Sequence, residues 1–378
     1  MPTQINISPQ FKTEVGSTAR GTLPSGDNSS IDTGLSAWTE MQKLLNAGVS
    51  GGSAVSSPIV STFSLIYTTT NAYYGGVLAA NGDVHFAPFA ANRGQKVSPA
   101  GTVSTYSLIS TVTNQTHSGG VLAPNGDIHF IPWSAIVGQK VSSSGIVSTY
   151  SLVYTAASAY WGGVISSNGD IHFIPNSANR GQKVSSAGVV STYSLVYTTA
   201  TAYAGGVLAP NGDIHFVPRN ARVGQKISSS GTVSTYSLVY TTANAYTGGV
   251  LTPSGDIHFV PRNATVGQKI SASGVVSTYS LILTSASGAY WSGVLSPNGD
   301  VHFMPNFASR GQKVSATGVV STYSLIYTVN AAYAGGVLLP DGRIMMVPYS
   351  GVRAQILSDV TGVSFSKGIC MSPFFNKL

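Results

Sequence analysis

Charge is what this sequence has least of. Charged residues are 8% of its 378, far below the quarter or so usual in a soluble domain. A surface so poor in charge must be covered by Ser, Thr, Asn and backbone, a composition that suits extracellular β-proteins. A single cysteine, Cys370, excludes an internal disulfide framework. No run of about 20 apolar residues is present, so no transmembrane helix and no membrane partner are expected. The start, Met1-Pro-Thr-Gln-Ile-Asn-Ile, lacks a basic segment leading into an apolar one, so no signal peptide is expected and the protein would be made in the cytoplasm.

Familiar catalytic signatures are also missing. There is no Gly-x-Ser-x-Gly elbow, phosphate-binding Gly-Lys-Ser/Thr loop, His-Glu-x-x-His or Cys-x-x-Cys. The Asp residues stand singly, so no paired-carboxylate glycosidase site is visible. Few stacking aromatics are interleaved with Lys and Arg, which argues against nucleic acid. The expectation is a protein that is not an enzyme and needs no cofactor.

What the chain has in excess is repetition. Glycine alone contributes 43 residues. The aromatic of a Ser-Thr-Tyr-Ser-Leu phrase recurs at Phe63, Tyr106, Tyr150, Tyr193, Tyr236, Tyr279 and Tyr323, spaced by 43 or 44 residues. A fixed period in this range means a propeller, a solenoid or an array. Within one copy, Tyr236–Tyr240 is β-branched and aromatic with no helical spacing, so it reads as a strand. Gly205–Pro218 reads as two strands about Asn211-Gly212, a pair that tolerates positive φ at both centres of a tight hairpin turn. Gly224–Ile227 is a short further strand before the Ser228–Gly231 turn. Each copy thus predicts a small four-stranded antiparallel sheet.

One such sheet cannot bury enough apolar area alone. Its alternating apolar residues, such as Leu195, Val207, Ile214 and Phe216, need a neighbour to cover them. At roughly 1.5–3 kcal/mol per well-buried side chain, contacts between units must carry most of the stability. Seven sheets packed radially meet that need and leave only short edges. The expected fold is therefore all-β, a seven-bladed β-propeller over residues 51–366.

Two flanks complete the chain. Residues 1–50 predict an anchoring arm with one short helix at about 33–47, where Leu35, Trp38, Met41 and Leu45 recur at helical spacing and Gly48 stops it. A lone amphipathic helix must lie against something, either its own propeller or another protein. Residues 367–378 form an apolar tail that is expected to dock. Gly51–Pro58 weakly matches the Gly-Gln-Lys-Val-Ser strand, and Thr361–Ser366 echoes the start of an eighth copy. The ends therefore overlap as a closed ring requires, and either could supply the closing strand.

Differences among the copies carry the functional signal. Six copies hold Asp, then His two residues on, then Lys: Asp83, His85 and Lys96; Asp127, His129 and Lys140; Asp170, His172 and Lys183; Asp213, His215 and Lys226; Asp256, His258 and Lys269; Asp300, His302 and Lys313. The seventh changes all three together, to Arg343, Met345 and Ile356. Joint loss predicts one structural network, an Asp–His–Lys tie, in preference to six two-ligand metal sites. Two positions instead vary freely. One holds Tyr74, Ser118, Trp161, Ala204, Thr247, Trp291 and Ala334, the other Phe89, Trp133, Asn176, Arg219, Arg262, Asn306 and Tyr349. Free variation on a fixed scaffold predicts unpacked positions, either drifting or used for recognition. Tyr74, Phe89, Trp133, Trp161, Arg219, Arg262, Trp291 and Tyr349 are the candidate recognition residues.

The net charge of +7 lies on the repeats. From Pro58 to Leu357 six Lys and eight Arg stand against seven Asp, while the flanks cancel. That surplus would favour an anionic partner such as bacterial surface polysaccharide.

The phrase Gly205-Gly-Val-Leu-Ala-Pro-Asn-Gly-Asp-Ile-His-Phe-Val-Pro218 resembles a repeat of uncharacterised β-propeller proteins from phages, large viruses and microbes, over roughly residues 58–357. The first fifty residues resemble, in style, the anchoring segments of phage virion accessory proteins. The resemblance implies a bacteriophage virion structural protein, tail fibre or capsid decoration, held to other virion proteins through residues 1–50 in a larger assembly. The propeller would then be displayed on tail or head for host attachment through a surface glycan. A stand-alone microbial lectin with several equivalent sugar sites is the alternative.

Overall fold

The computed structural model describes residues 58–111, 115–284 and 288–359. The expected helix with Leu35, Trp38, Met41 and Leu45, the Thr361–Ser366 echo and the apolar tail lie outside the described residues.

Twenty-eight strands form seven four-stranded antiparallel sheets, with no helix among the described residues. We letter the strands of each blade a to d, beginning at the axis. In blade 4 these are Tyr203–Leu208, Ile214–Pro218, Val223–Ile227 and Val233–Ser237. The a strands of neighbouring blades contact one another all the way round the ring. The protein is a seven-bladed β-propeller, and the repeat period of the sequence is the blade period.

The phase of the repeat differs from expectation. The Ser-Thr-Tyr-Ser strand does not open a blade: Val233–Ser237 pairs with Val223–Ile227 and forms the outer edge of the blade before it. One strand is therefore left over at the start, Ile59–Ser64. It pairs antiparallel with Arg353–Ser358, from Ile59 opposite Ser358 to Ser64 opposite Arg353, and becomes strand d of blade 7. The N-terminal side thus closes the ring.

The a–b turn differs as well. Only its glycine takes positive φ, as at Gly82 (φ 85°) and Gly212 (φ 84°); the preceding Asn does not. The amide of Gly82 donates to the Ala79 carbonyl at 2.9 Å and that of Ala79 to the Asp83 carbonyl at 2.8 Å. This is a type I turn closed by a left-handed glycine. It explains Pro124, Pro210, Pro253, Pro297 and Pro340 at the turn's second position, where a φ near −65° is wanted.

The core sits between blades. Val164 and Ile174 of blade 3 pack with Tyr203, Ile214 and Phe216 of blade 4. Gly206 makes that approach possible: a Cβ there would stand 2.7 Å from Ile174 and 3.0 Å from Val164. A buried glutamine in strand c then fixes each incoming connection. Gln225 Oε1 accepts the amides of Val196 and Tyr197 at 3.0 and 2.8 Å. The same clamp recurs in all seven blades, through Gln95, Gln139, Gln182, Gln225, Gln268, Gln312 and Gln355. It gives an acceptor to two backbone donors of a half-buried connection that lies beyond the strand ladder.

Candidate functional site

The second residue of strand a and the residue after the strand b proline lie at the same end of each hairpin, and seven hairpins bring fourteen such positions round the axis. Here the eight candidate recognition residues come together. Tyr74, Phe89, Trp133, Trp161, Arg219, Arg262, Trp291 and Tyr349 all line one cavity of about 330 Å³. They are not the unpacked surface positions expected, because Tyr74, Phe89 and Trp161 are buried. Their rings meet edge-on or tilted: Trp133 to Trp161 and Trp291 to Tyr349 at 4.9 Å, Tyr74 to Trp291 at 5.2 Å, within the favoured range for aromatic pairs.

The variation has a packing logic. Blades 3 and 6 place Trp at the first position and Asn at the second; blades 2, 4, 5 and 7 place Ser, Ala or Thr first and a large residue second. The small polar members tie blades together. Ser118 Oγ donates to the Tyr160 carbonyl, Asn176 Nδ2 to Tyr203, Thr247 Oγ1 to Tyr290 and Asn306 Nδ2 to Tyr333, at 2.8–3.3 Å. Each reaches the next blade. Below them the a strands crowd the axis, with Gly in six blades and Ser292 in blade 6; a Cβ on Gly205 (φ +88°) would lie 3.1 Å from the Gly248 Cα.

Two guanidinium groups give the cavity its charge. Arg219 Cζ sits 4.5 Å from the centre of the Trp161 ring, and Arg262 Cζ 5.9 Å from that of Trp291. Arg219 Nε and an Arg262 terminal nitrogen both donate to Asn244 Oδ1, at 2.9 and 2.6 Å. Asn244 holds left-handed φ (53°), which Asn tolerates better than most residues, and its amide donates to Asn220 Oδ1 at 2.7 Å. Among the described residues no carboxylate forms an ion pair with either arginine. Burial, reinforced by the Arg262 charge, pushes Arg219 down to about 10, and burial lowers Arg262 as well. Both stay cationic at neutral pH. Tyr74 Oη, Trp291 Nε1 and Arg262 Nε are buried with no hydrogen-bond partner among the described residues. The cup is an aromatic wall carrying two uncompensated positive charges and idle donors.

The repeated polar residues lie towards the opposite end of the hairpin. Each Lys pairs with the Asp of its own blade at 2.6–2.8 Å. The expected Asp–His contact is not formed. His stands opposite Lys across strands b and c, as His215 does opposite Lys226, but its Nδ1 meets a Tyr hydroxyl, 3.1–3.4 Å away in the six blades. That Tyr ring lies over the strand c glycine so closely that a Cβ on Gly224 would be 2.1 Å from Tyr236. The correction has a geometric reason: Asp sits at the turn, where Lys reaches it and the imidazole points elsewhere. In blade 7 the exchanged set accordingly includes Phe63 and Ala354 besides Arg343, Met345 and Ile356. The sequence carries a signal of this: Phe63, the one copy without the hydroxyl, belongs to the one blade without the His, although His and Tyr stand two strands apart.

Burial, with the Lys charge second, pushes His85, His129, His172, His215 and His258 down to about 4. Against the upward push of burial, lysine lowers Asp127, Asp170, Asp213 and Asp256. Blade 6 adds Asp359, so Asp300, His302 and Asp359 cluster within 4.8 Å. The Lys313 ammonium, 2.8 and 2.9 Å from the two carboxylates, is the cation among them.

No family model matches the chain, and no curated protein does. Solved structures do share its fold. It is similar to a streptogramin B lyase, with a TM-score of 0.71 and 21% identity over 81% of this chain and 99% of that one. It is also similar to a catalytically inactive virginiamycin B lyase from Staphylococcus aureus with quinupristin, with a TM-score of 0.70 and 18% identity over 80% and 99%. The extracellular domain of a putative hybrid two-component system from B. thetaiotaomicron follows, with a TM-score of 0.62 and 8% identity over 82% and 44%. These likenesses establish the ring. They also overturn the exclusion of catalysis: it rested on missing motifs, yet proteins named as lyases are built on this same fold.

Proposed function

We propose that the propeller is a recognition scaffold whose axial cup binds an anionic ligand with flat faces, such as an acidic sugar of a bacterial surface polysaccharide. The observation that carries this reading is the pair Arg219 and Arg262, held without a carboxylate partner inside a wall of Trp, Tyr and Phe. Positive charge held half-buried is costly unless something compensates it, and an anion seated there would do so. Aromatic faces take the apolar side of a sugar ring, while the idle Trp291 and Tyr74 groups can hydrogen-bond its hydroxyls. The surplus positive charge of the propeller would draw an anionic polymer in. Display on a bacteriophage particle, held to other virion proteins by residues 1–50, is the setting to which the resemblance of the repeat points.

Calorimetry with acidic and neutral oligosaccharides tests the cup. Acidic ligands should bind more tightly, and the double variant Arg219→Ala/Arg262→Ala should lose at least about tenfold in affinity, as expected for a charge-assisted contact. Equal binding of neutral and acidic sugars, or an unaffected double variant, overturns the reading. A second reading follows from the lyase likeness: the cup holds a cyclic ligand and acts on it. Chromatography of quinupristin after incubation with the protein separates the two.

A further inference from the structure

We propose that six of the seven grooves between adjacent blades, at the turn end of the hairpins, are carboxylate-binding sites: five are open and the sixth is filled by the chain's own Asp359, while blade 7 lacks the His and Lys. The filled copy shows the chemistry. Asp359 follows strand c of blade 7 and reaches back into blade 6. Its carboxylate accepts from His302 Nε2 at 2.8 Å, from Lys313 Nζ at 3.0 and 2.9 Å, and from Asn298 Nδ2 at 3.1 Å. The Lys313 side chain is left 7% exposed, whereas the equivalent lysines of blades 1–5 are 32–36% exposed.

Blades 1–5 present the same His and Lys without the acceptor; the Asn298 position is Asn in blades 1–4 and Ser254 in blade 5. In each, the Tyr hydroxyl lies at His Nδ1; a hydroxyl that donates there leaves the N–H on Nε2, the tautomer that the His302–Asp359 contact requires in blade 6. Among the described residues that Nε2 has no hydrogen-bond partner. The lysine holds one Asp oxygen of its own blade and has further N–H groups to give. At the position of Asp359 the neighbouring blades carry Ser143, Ser186, Ser229, Ala272 and Ala316, too short to fill the gap. Between blades 3 and 4 the gap is a cavity of about 150 Å³ that Asn168, His172, Lys183 and Ser229 help to line. Burial keeps these imidazoles neutral at ordinary pH, so Nε2–H donates without needing a second proton.

The ligand chemistry is a carboxylate, from a uronic acid or from an acidic peptide. Five weak sites round one ring favour a polymer carrying many such groups, because each engaged site raises the local concentration at the next.

Imidazole ¹H–¹⁵N spectra of the full chain, titrated with sodium acetate against sodium chloride at equal ionic strength, test this directly. The Nε2 signals of His85, His129, His172, His215 and His258 should move saturably with acetate, while those of His117 and His302 stay. In Asp359→Ser, which gives blade 6 the residue found at the blade 3 groove, His302 should join them. Glucuronate and an acidic tetrapeptide in parallel arms identify the source by which binds more tightly. Signals that do not move, that follow chloride equally, or a silent His302 in a folded Asp359→Ser protein each overturn the proposal. The wild-type titration decides alone if that variant does not fold.

Discussion

Six blades and the seventh solve the same packing problem with different chemistry. Blades 1–6 cross-link strands b, c and d with a His–Tyr contact, a Lys–Asp pair and a glycine under the Tyr ring. Blade 7 has Met345, Phe63, Ile356, Arg343 and Ala354 at those places, and Arg343 pairs instead with Asp341 at the exposed turn. What blade 7 keeps is the glutamine clamp, with Gln355 Oε1 accepting the amides of Ile326 and Tyr327 at 2.9 and 3.0 Å. The clamp therefore belongs to the ring, whereas the polar cross-link is a module that can be exchanged only as a set.

The largest effect is expected where all seven blades agree. Gln225→Leu strips the acceptor from two amides and should cost about 2–6 kcal/mol, roughly one to three for each donor left unpaired. Gln355→Leu should cost as much, read as melting temperature. A markedly cheaper change in blade 7 would end the claim that the clamp is common to the ring. Next comes the module. His215→Met alone strands the Tyr236 hydroxyl, and Lys226→Ile alone strands Asp213, at about 1–3 kcal/mol each. Adding Tyr236→Phe and Gly224→Ala should recover part of that loss, giving a coupling of about 0.5–3 kcal/mol. Strict additivity would mean that the four substituted positions are independent.

Acid sharpens the contrast further. Five histidines are held near 4 in the folded ring, below the ordinary 6.5, so the unfolded chain binds more protons between those values. Their contribution is complete above about pH 6.5 and is lost as pH falls towards 4. The melting temperature should drop across that window, and His215→Met should shallow the drop. The smallest stability effect is expected at the other end of the hairpin. Arg219→Ala removes a half-buried cation with no carboxylate partner and should change the melting temperature little, while anion binding falls.

The blade number could be read from the spacing of the Ser-Thr-Tyr-Ser phrase, because each blade repeats its strands. The phase could not: a strand at the end of one blade and at the start of the next has the same alternation, and only pairing distinguishes them. The turn at Asn211-Gly212 is type I with positive φ at Gly212 alone, which the Pro before Asn signals and the Asn-Gly pair by itself does not. A polar residue in a short strand such as Gln225 has no local signature of a clamp; its presence in all seven copies is the only sign the sequence offers. The variable residues were visible as variable. That they converge on the axis follows only from closure of the ring, which brings ten of the fourteen scattered positions into the lining of one cup. Asp359 was invisible for the converse reason, since a lone acid beyond the last repeat acquires partners only when blades 6 and 7 meet.

Closure by Ile59–Ser64 also orders events in time. A chain made from its N-terminus releases this strand first, yet its partner Arg353–Ser358 emerges about three hundred residues later. Until then blades can form only as an open arc with an unpaired edge at each end, the state in which sheet proteins most readily capture the wrong neighbour. Joining the two ends is the most non-local step in the molecule and therefore its slowest expected one. Once made, the six-residue pairing works as a clasp: every blade acquires two neighbours, and none can leave without opening the circle.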